Sequence, residues 1–217
     1  MPWVGLVAAV LGGAVTYAFR PALAGSAAMW LAILVPYLLL ALLGLVQLAR
    51  RDRLTPLLRY QRGDPSIGIL VGLTLLLIAW LFTRQWLHGE ASQRAWLFSV
   101  FLLAGDPAWT AGGALLLAIV VCEEVVWRGW VQLELRERLG ARRAWIVCAL
   151  LYGAVHLPTV VTLEDATAGK NPLLVIAAVG CGLCWSFLAE RTGRLLPGLL
   201  AHGVFSYFAS RSLWLFA

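Results

Sequence analysis

Seven apolar blocks, each long enough to cross a hydrocarbon layer, constrain this chain more than any other feature; they occupy residues 3–19, 23–49, 67–87, 111–135, 144–161, 173–189 and 195–216. A bilayer core about 30 Å thick needs roughly 20 consecutive apolar residues in a helix. An eighth stretch, 95–105, is about half that length, and Gly105-Asp106-Pro107 ends it, so it is expected to lie at the interface or to re-enter. With 61% of its 217 residues hydrophobic and 13% charged, the chain lacks the polar surface of a water-soluble domain of this size. The expected fold is all-α: a polytopic membrane helix bundle of about seven transmembrane helices plus one short interfacial or re-entrant segment.

The arginines set the expected orientation. Arg50, Arg51, Arg53, Arg59 and Arg62 mark one connection, and Arg136, Arg138, Arg142 and Arg143 another. Both are expected on the cytoplasmic side. If 95–105 does not cross, these two and the connection with Arg191 and Arg194 share a side, and Glu164 and Asp165 face the other. Seven spans with the amino terminus inside follow, and eight spans are the second possibility. Several of the eleven tryptophans, among them Trp3, Trp86, Trp109 and Trp145, stand near block ends, as in an interfacial belt. The net charge of +6 is therefore a topology signal, and nucleic acid is not an expected partner. Residues 1–19 lack the basic start and small-residue cleavage site of a secretory signal, so a retained helix is expected. Cys122, Cys148, Cys181 and Cys184 all fall in apolar blocks and read as packing residues. With no internal repeat and no long linker, residues 1–217 read as a single integral membrane domain.

The chemistry lies in the polar residues placed where lipid penalises them. The fourth block contains AIVVCEEVVWRGW, which puts Glu123, Glu124 and Arg128 in one apolar helix. An ionised side chain at mid-span costs roughly 2.5 to 3.5 kcal/mol, so the three must face protein or water. Residues four apart share a helix face, so Glu124 can pair with Arg128 and Glu123 is left for a partner on another helix. Two imidazoles are available: His156 closes YGAVH, which starts at Tyr152, and His202 opens HGVFS, which ends at Ser206. At 1.5 Å per residue, Glu123 and His156 each lie about 20 Å from their bounding arginines and His202 about 12 Å, close enough for tilt or a break at Pro197 to bring them together.

EEVVWRG, YGAVH and GLCWSFLAERTGRLLPGLLAHGVFS resemble the three ordered motifs of the CAAX protease and bacteriocin-processing family, which includes the type II CAAX prenyl endopeptidases. The family pattern is EExxxR, FxxxH and HxxxN or HxxxD. Here the first is intact, Tyr152 stands for Phe in the second, and Ser206 stands for Asn in the third. The resemblance covers residues 111–208, a catalytic core. It implies an intramembrane glutamic endopeptidase in which Glu123, with His156, activates water for attack on a peptide carbonyl. His202 and Ser206 would occupy oxyanion-stabilising positions, and Glu124 and Arg128 would order the site. Tyr152 keeps the aromatic ring and adds a hydroxyl that needs a partner. Ser206 is shorter than Asn, so a bridging water or His202 alone would take over, giving a slower enzyme with its chemistry intact.

No cofactor is implied. Glu123, His156 and His202 are also acceptable zinc ligands with an open fourth position, although HExxH is absent. The same bundle would also suit a non-catalytic immunity or scaffold protein and, less well, a proton-coupled transporter. The expected partners are the lipid bilayer and a membrane-anchored protein or peptide substrate. A single lysine, Lys170, against many arginines suggests a GC-rich bacterial genome, and with it a multi-pass protein of the inner membrane.

Overall fold

The computed structural model describes residues 2–87, 91–105 and 110–211, and among these the regular secondary structure is all helical. In chain order the α-helices are α1 (Pro2–Ala18), α2 (Ala27–Arg50), α3 (Leu54–Leu58), α4 (Asp64–Phe82), α5 (Ala91–Ala104), α6 (Thr110–Glu124), α7 (Gln132–Leu139), α8 (Ala141–Val155), α9 (Thr159–Thr162), α10 (Leu173–Thr192) and α11 (Leu196–Arg211). Each long apolar block is thus helical where it is described. The Asp106-Pro107 stop, Trp109, the Trp86 side chain and the last part of block 195–216 lie outside the described residues.

Local chemistry sets the helix ends. The Ser26 hydroxyl accepts the Met29 N–H at 3.3 Å and caps α2. Pro65 sits in the first turn of α4, where a missing N–H costs nothing. Pro197 likewise stands in the first turn of α11, so it starts that helix; the bend expected there is replaced by a helix boundary. Gly193, with φ of 66°, closes α10 in the left-handed region that other residues adopt at a cost.

Among the described residues, four helices are long and apolar enough to cross a membrane: Ala27–Arg50, Asp64–Gln85, Ala141–Thr162 and Leu173–Thr192. Three other expected crossings are helical but shorter or broken. α1 has 17 residues and α11 has 16. The fourth block changes its winding part-way. Val125–Val131 is π-helical, and the Gln132 N–H reaches back five residues to the Trp127 carbonyl. α5, 14 residues long, spans only about 21 Å at 1.5 Å per residue, which agrees with a segment too short to cross. It docks on the α9–α10 connection, where Trp96 donates to the Ala168 carbonyl at 3.1 Å and Asn171 donates to the Trp96 carbonyl at 2.9 Å. In the same connection Asp165 accepts the Ala168 and Thr167 N–H groups, which hold its carboxyl below the ordinary value.

The polarity of the bundle is that of a protein dissolved in lipid. Leu39 is 58% exposed and Leu70 63%, whereas Glu124 and Arg128 are each 1% exposed. Apolar side chains of the long helices face outward while Glu123, Glu124 and Arg128 are buried inside, so the chain is an integral membrane bundle. α11 packs on α4 through Gly68 and Gly72. A Cβ at Gly68 would meet the Leu200 Cβ and the Pro197 carbonyl oxygen at 2.7 Å; one at Gly72 would meet Val204 and the Ala201 carbonyl oxygen at 2.9 Å. This is the small-xxx-small contact that lets membrane helices approach backbone to backbone. Arg194 clamps the same pair, giving Nε and Nη2 to the two oxygens of Asp64 at 2.8 to 3.2 Å.

α10 packs on α8 at Gly153 and Gly182, and α2 on α6 and the π-helical turn. The core therefore gathers around α6, α8, α10 and α11. At one end of the bundle the α2–α3 arginines meet acids of α7: Arg51 pairs with Glu134, and Arg51 and Arg53 each approach Glu137 at 3.7 Å. The four cysteines are free thiols; three are buried and Cys184 is partly so.

Candidate active site

Glu123, Tyr152, His156, His202 and Ser206 line one cavity of about 210 Å³. Its walls are otherwise mostly apolar, with Trp30, Leu116, Trp185 and Phe205 among them. Every residue singled out by the three motifs is at this cavity or directly behind it.

Glu123 stands one residue before the end of α6 and points toward α8 and α11. Its Oε2 accepts the Tyr152 hydroxyl at 3.0 Å and lies 3.4 Å from His202 Nε2. The hydroxyl that departs from the family's Phe thus has its partner, the carboxylate of Glu123. The expectation that Glu123 serves another helix holds, but it is not unengaged.

Glu124 faces the other way and is fully enclosed. Its Oε1 accepts from Arg128 Nη1 at 3.1 Å and lies 2.9 Å from His202 Nδ1. The Glu124–Arg128 pair survives the change of winding that begins between them. π-Helical insertions of this kind concentrate at functional sites, because widening one turn redirects the side chains on either side of it. Arg128 also lies over the Tyr152 ring at 4.7 Å and the Trp185 ring at 5.4 Å, cation–π contacts that compensate its burial. Gly198 brings α11 against this carboxylate, since a Cβ there would stand 3.0 Å from Glu124 Oε2.

The two histidines are held differently. His156 caps the end of α8, and its Nδ1 lies 2.8 Å from the Tyr152 carbonyl oxygen. A carbonyl only accepts, so Nδ1 carries a proton, and in the neutral ring it is Nε2 that holds the lone pair. The His202 ring is stacked on Trp185, with centroids 3.6 Å apart and planes at 18°. Glu124 holds its Nδ1 edge and Nε2 is turned toward Glu123. Ser206, one turn beyond His202 on α11, lines the cavity.

Residues 105–208 match the family described as Type II CAAX prenyl endopeptidase Rce1-like. This segment resembles that family. The family read from the three motifs is the family that matches, and the match spans a little under half of the chain. It contains Glu123, Glu124, Arg128, Tyr152, His156, His202 and Ser206. No curated protein and no solved structure gives a significant match. The Rce1-like segment carries the name of an endopeptidase family, and its cavity carries a carboxylate and two imidazoles. Among the described residues, no group of three or more His, Cys, Asp or Glu side chains is arranged to hold a metal ion.

Sequence reasoning missed three participants. Trp185 lies inside a segment quoted for the family resemblance, but nothing in its spacing announced a stack on His202. Tyr37 precedes the Rce1-like segment and meets the π-helical turn behind the site, where its hydroxyl accepts from Trp127 Nε1 at 3.1 Å. Asp64, the partner of Arg194, also precedes it. A charged residue at the edge of an apolar block was the only available signal for Asp64, and an aromatic hydroxyl inside one was the only signal for Tyr37.

A second cavity, of about 400 Å³, adjoins the first. Val100, Leu174, Ala177, Cys181 and Phe205 line both. Leu75, Ile78, Phe82 and Leu97 belong to the second alone, and among the described residues Thr83 is its only hydroxyl-bearing one.

Proposed function

We propose that this protein is an intramembrane endopeptidase that hydrolyses a peptide bond near the membrane surface in a membrane-attached protein or peptide precursor. The observation that carries this reading is the shared cavity of Glu123, His156 and His202 within an Rce1-like segment. Glu123 is the general base. With the His156 Nε2 lone pair, it accepts a proton from a water molecule in the cavity as the water oxygen adds to the scissile carbonyl. The negative oxygen of the tetrahedral intermediate is stabilised by His202, with Ser206 assisting directly or through water. Collapse breaks the C–N bond, and the proton taken from water passes to the leaving amine.

The surrounding contacts support this division of labour. Glu124 is occupied by Arg128 and His202, so it orients rather than reacts. Tyr152 donates to Glu123, which fixes the base, and Trp185 holds the His202 ring flat. The apolar cavity beside the site falls within the 300 to 1,000 Å³ usual for ligand pockets, at about 400 Å³. Its walls suit a lipid group or an apolar terminal segment carried by the substrate, next to the bond that is cut. The chain is proposed to cross a bacterial inner membrane seven times with its arginine-rich connections inside.

The test compares protein termini in the membrane fraction of cells carrying the native chain or Glu123→Gln. A terminus present with the native chain and lost in the variant identifies the substrate and the base together. Identical terminal maps would overturn the protease reading. The metal-free mechanism predicts that the same cleavage by purified protein persists after dialysis against a strong chelator. Loss on chelation with recovery on added zinc would replace it with a zinc-dependent one.

A further inference from the structure

The charge of the bundle is concentrated at one end. Residues 50–64, 132–143 and 190–194 hold eleven arginines and five carboxylates, an excess of six that equals the net charge of the whole chain. Ion pairs draw these three segments together: Arg51 and Arg53 meet Glu134 and Glu137, Arg136 meets Glu190 at 3.3 Å, and Arg194 meets Asp64 at 2.8 Å. Most of the carboxylates at this end are thereby occupied. Arg59 and Arg62 are exposed, and neither has a carboxylate within ion-pair distance among the described residues.

The segment that carries these two arginines is tied down at both ends. The Leu57 side chain is buried, and its carbonyl accepts the Leu195 N–H at 3.0 Å, one residue before α11 begins. Asp64, the first residue of α4, accepts the Gln61 N–H at 3.0 Å on Oδ2, the oxygen that Arg194 Nε also holds at 2.9 Å. Residues 58–62 are therefore held level with the starts of α4 and α11. Ile67, Ile69 and Leu70 begin the outward apolar face of α4 within two turns of that level. At the same level Leu58 is 60% exposed and Tyr60 63%, on either side of Arg59. An open leucine and tyrosine at the end of a lipid-facing span suit the boundary between acyl chains and headgroups, where tyrosine concentrates and arginine reaches outward from an apolar stem. An arginine with no carboxylate of its own is complementary to phosphate, and an excess of positive charge favours lipids of net negative charge over zwitterionic ones.

We propose that residues 58–62 form a surface for anionic phospholipid: Leu58 and Tyr60 enter the acyl–headgroup boundary, and Arg59 and Arg62 hold the phosphate of a lipid of net negative charge. The surface lies outside the Rce1-like segment and is independent of the catalytic chemistry. A loop lifted into water would leave the same arginines in solvent and touch no lipid.

The test places a photoreactive benzoylphenylalanine at position 58 of the purified full chain, in vesicles of equal phosphatidylglycerol and phosphatidylcholine. After illumination, mass spectrometry reads which lipid is attached. The expected result is an adduct enriched in phosphatidylglycerol over phosphatidylcholine on the order of fivefold, the factor for one arginine near an anionic surface. The joint variant Arg59→Gln and Arg62→Gln, confined to exposed side chains, brings the ratio to about one. High salt does the same to the native chain without any substitution at the arginines, because headgroup charge is then screened. The same probe at position 39, an exposed leucine in the middle of α2, gives lipid adducts with no preference between the two headgroups. Absence of lipid adducts at position 58 overturns the proposal, since the segment then faces water. Equal capture of the two lipids by the native chain, or an enrichment that survives both the double variant and high salt, overturns it as well.

Discussion

Two adjacent glutamates of one helix have different surroundings. Glu124 meets a guanidinium and an imidazole with no solvent between them, whereas Glu123 meets a phenol hydroxyl and the cavity. Removing one partner of a buried ion pair leaves the other charge uncompensated. Arg128→Met is therefore expected to lower unfolding stability by about 3–5 kcal/mol, measured by thermal or denaturant unfolding in detergent. Joint replacement of Arg128 and Glu124 by apolar residues of similar volume recovers much of that loss, while leaving His202 without its Nδ1 partner and the enzyme inactive. The third-motif departure gives a test with the opposite sign. Ser206→Asn restores the amide of the family pattern at a cavity-lining position. It is expected to raise kcat by about tenfold with KM little changed, part of the roughly 10²-fold that one oxyanion donor supplies. A neutral or slower Ser206→Asn enzyme would mean that His202 works without help from that position.

At the scale of elements, two small-residue contacts carry the histidines to the carboxylates. α8 and α10 close on each other at Gly153 and Gly182, and α4 and α11 at Gly68 and Gly72. Gly72→Val has no free space to enter, since even its Cβ would press on the α11 backbone. Overpacking of this kind costs about 1–3 kcal/mol, and the displacement of α11 is expected to reduce cleavage by moving His202 away from Glu123. Gly12→Ala in α1, where nothing stands within 4 Å, is the matched control and is expected to leave stability and cleavage native or slightly improved. The Asp64–Arg194 clamp locks the start of α4 to the turn before α11, so Arg194 in the family-like RTGRLLPGLLAH stretch has a structural task in this chain. The π-helical turn is an element that hydropathy does not signal. Periodicity treats residues 111–135 as one helix, and a single extra residue in one turn is invisible to an average taken over many.

Across the whole molecule the arrangement is that of a protein whose solvent is lipid. Leucines and valines form the outer surface, and the polar residues gather in the interior around a cavity that leads into an apolar one. A substrate reaching the site from the bilayer would arrive through apolar walls, which fits targets that are themselves attached to the membrane. Cleavage is accordingly expected to be faster for a quenched peptide carrying a prenyl or acyl group than for the same peptide without one. The difference should appear in KM, and filling the larger cavity with Ala79→Phe, at a position that lines it alone, should reduce it. Equal KM values for the two peptides would remove the apolar cavity from substrate binding.

The sequence by itself determined the solvent, the helical class and which polar residues must find partners inside the bundle. Long apolar runs admit only structures that satisfy their own backbone, and charges inside them survive only with partners, so those residues announced themselves. Spacing of four on a helix likewise determined the Glu124–Arg128 and Tyr152–His156 neighbours. What only the tertiary structure decided was everything that depends on the approach of separate helices. The contact of Trp127 with Tyr37, the stack of Trp185 on His202, the clamp from Asp64 and the adjoining apolar cavity each join residues far apart in the chain. Their registry is set by where helices of small residues can come close, and no single helix contains that information.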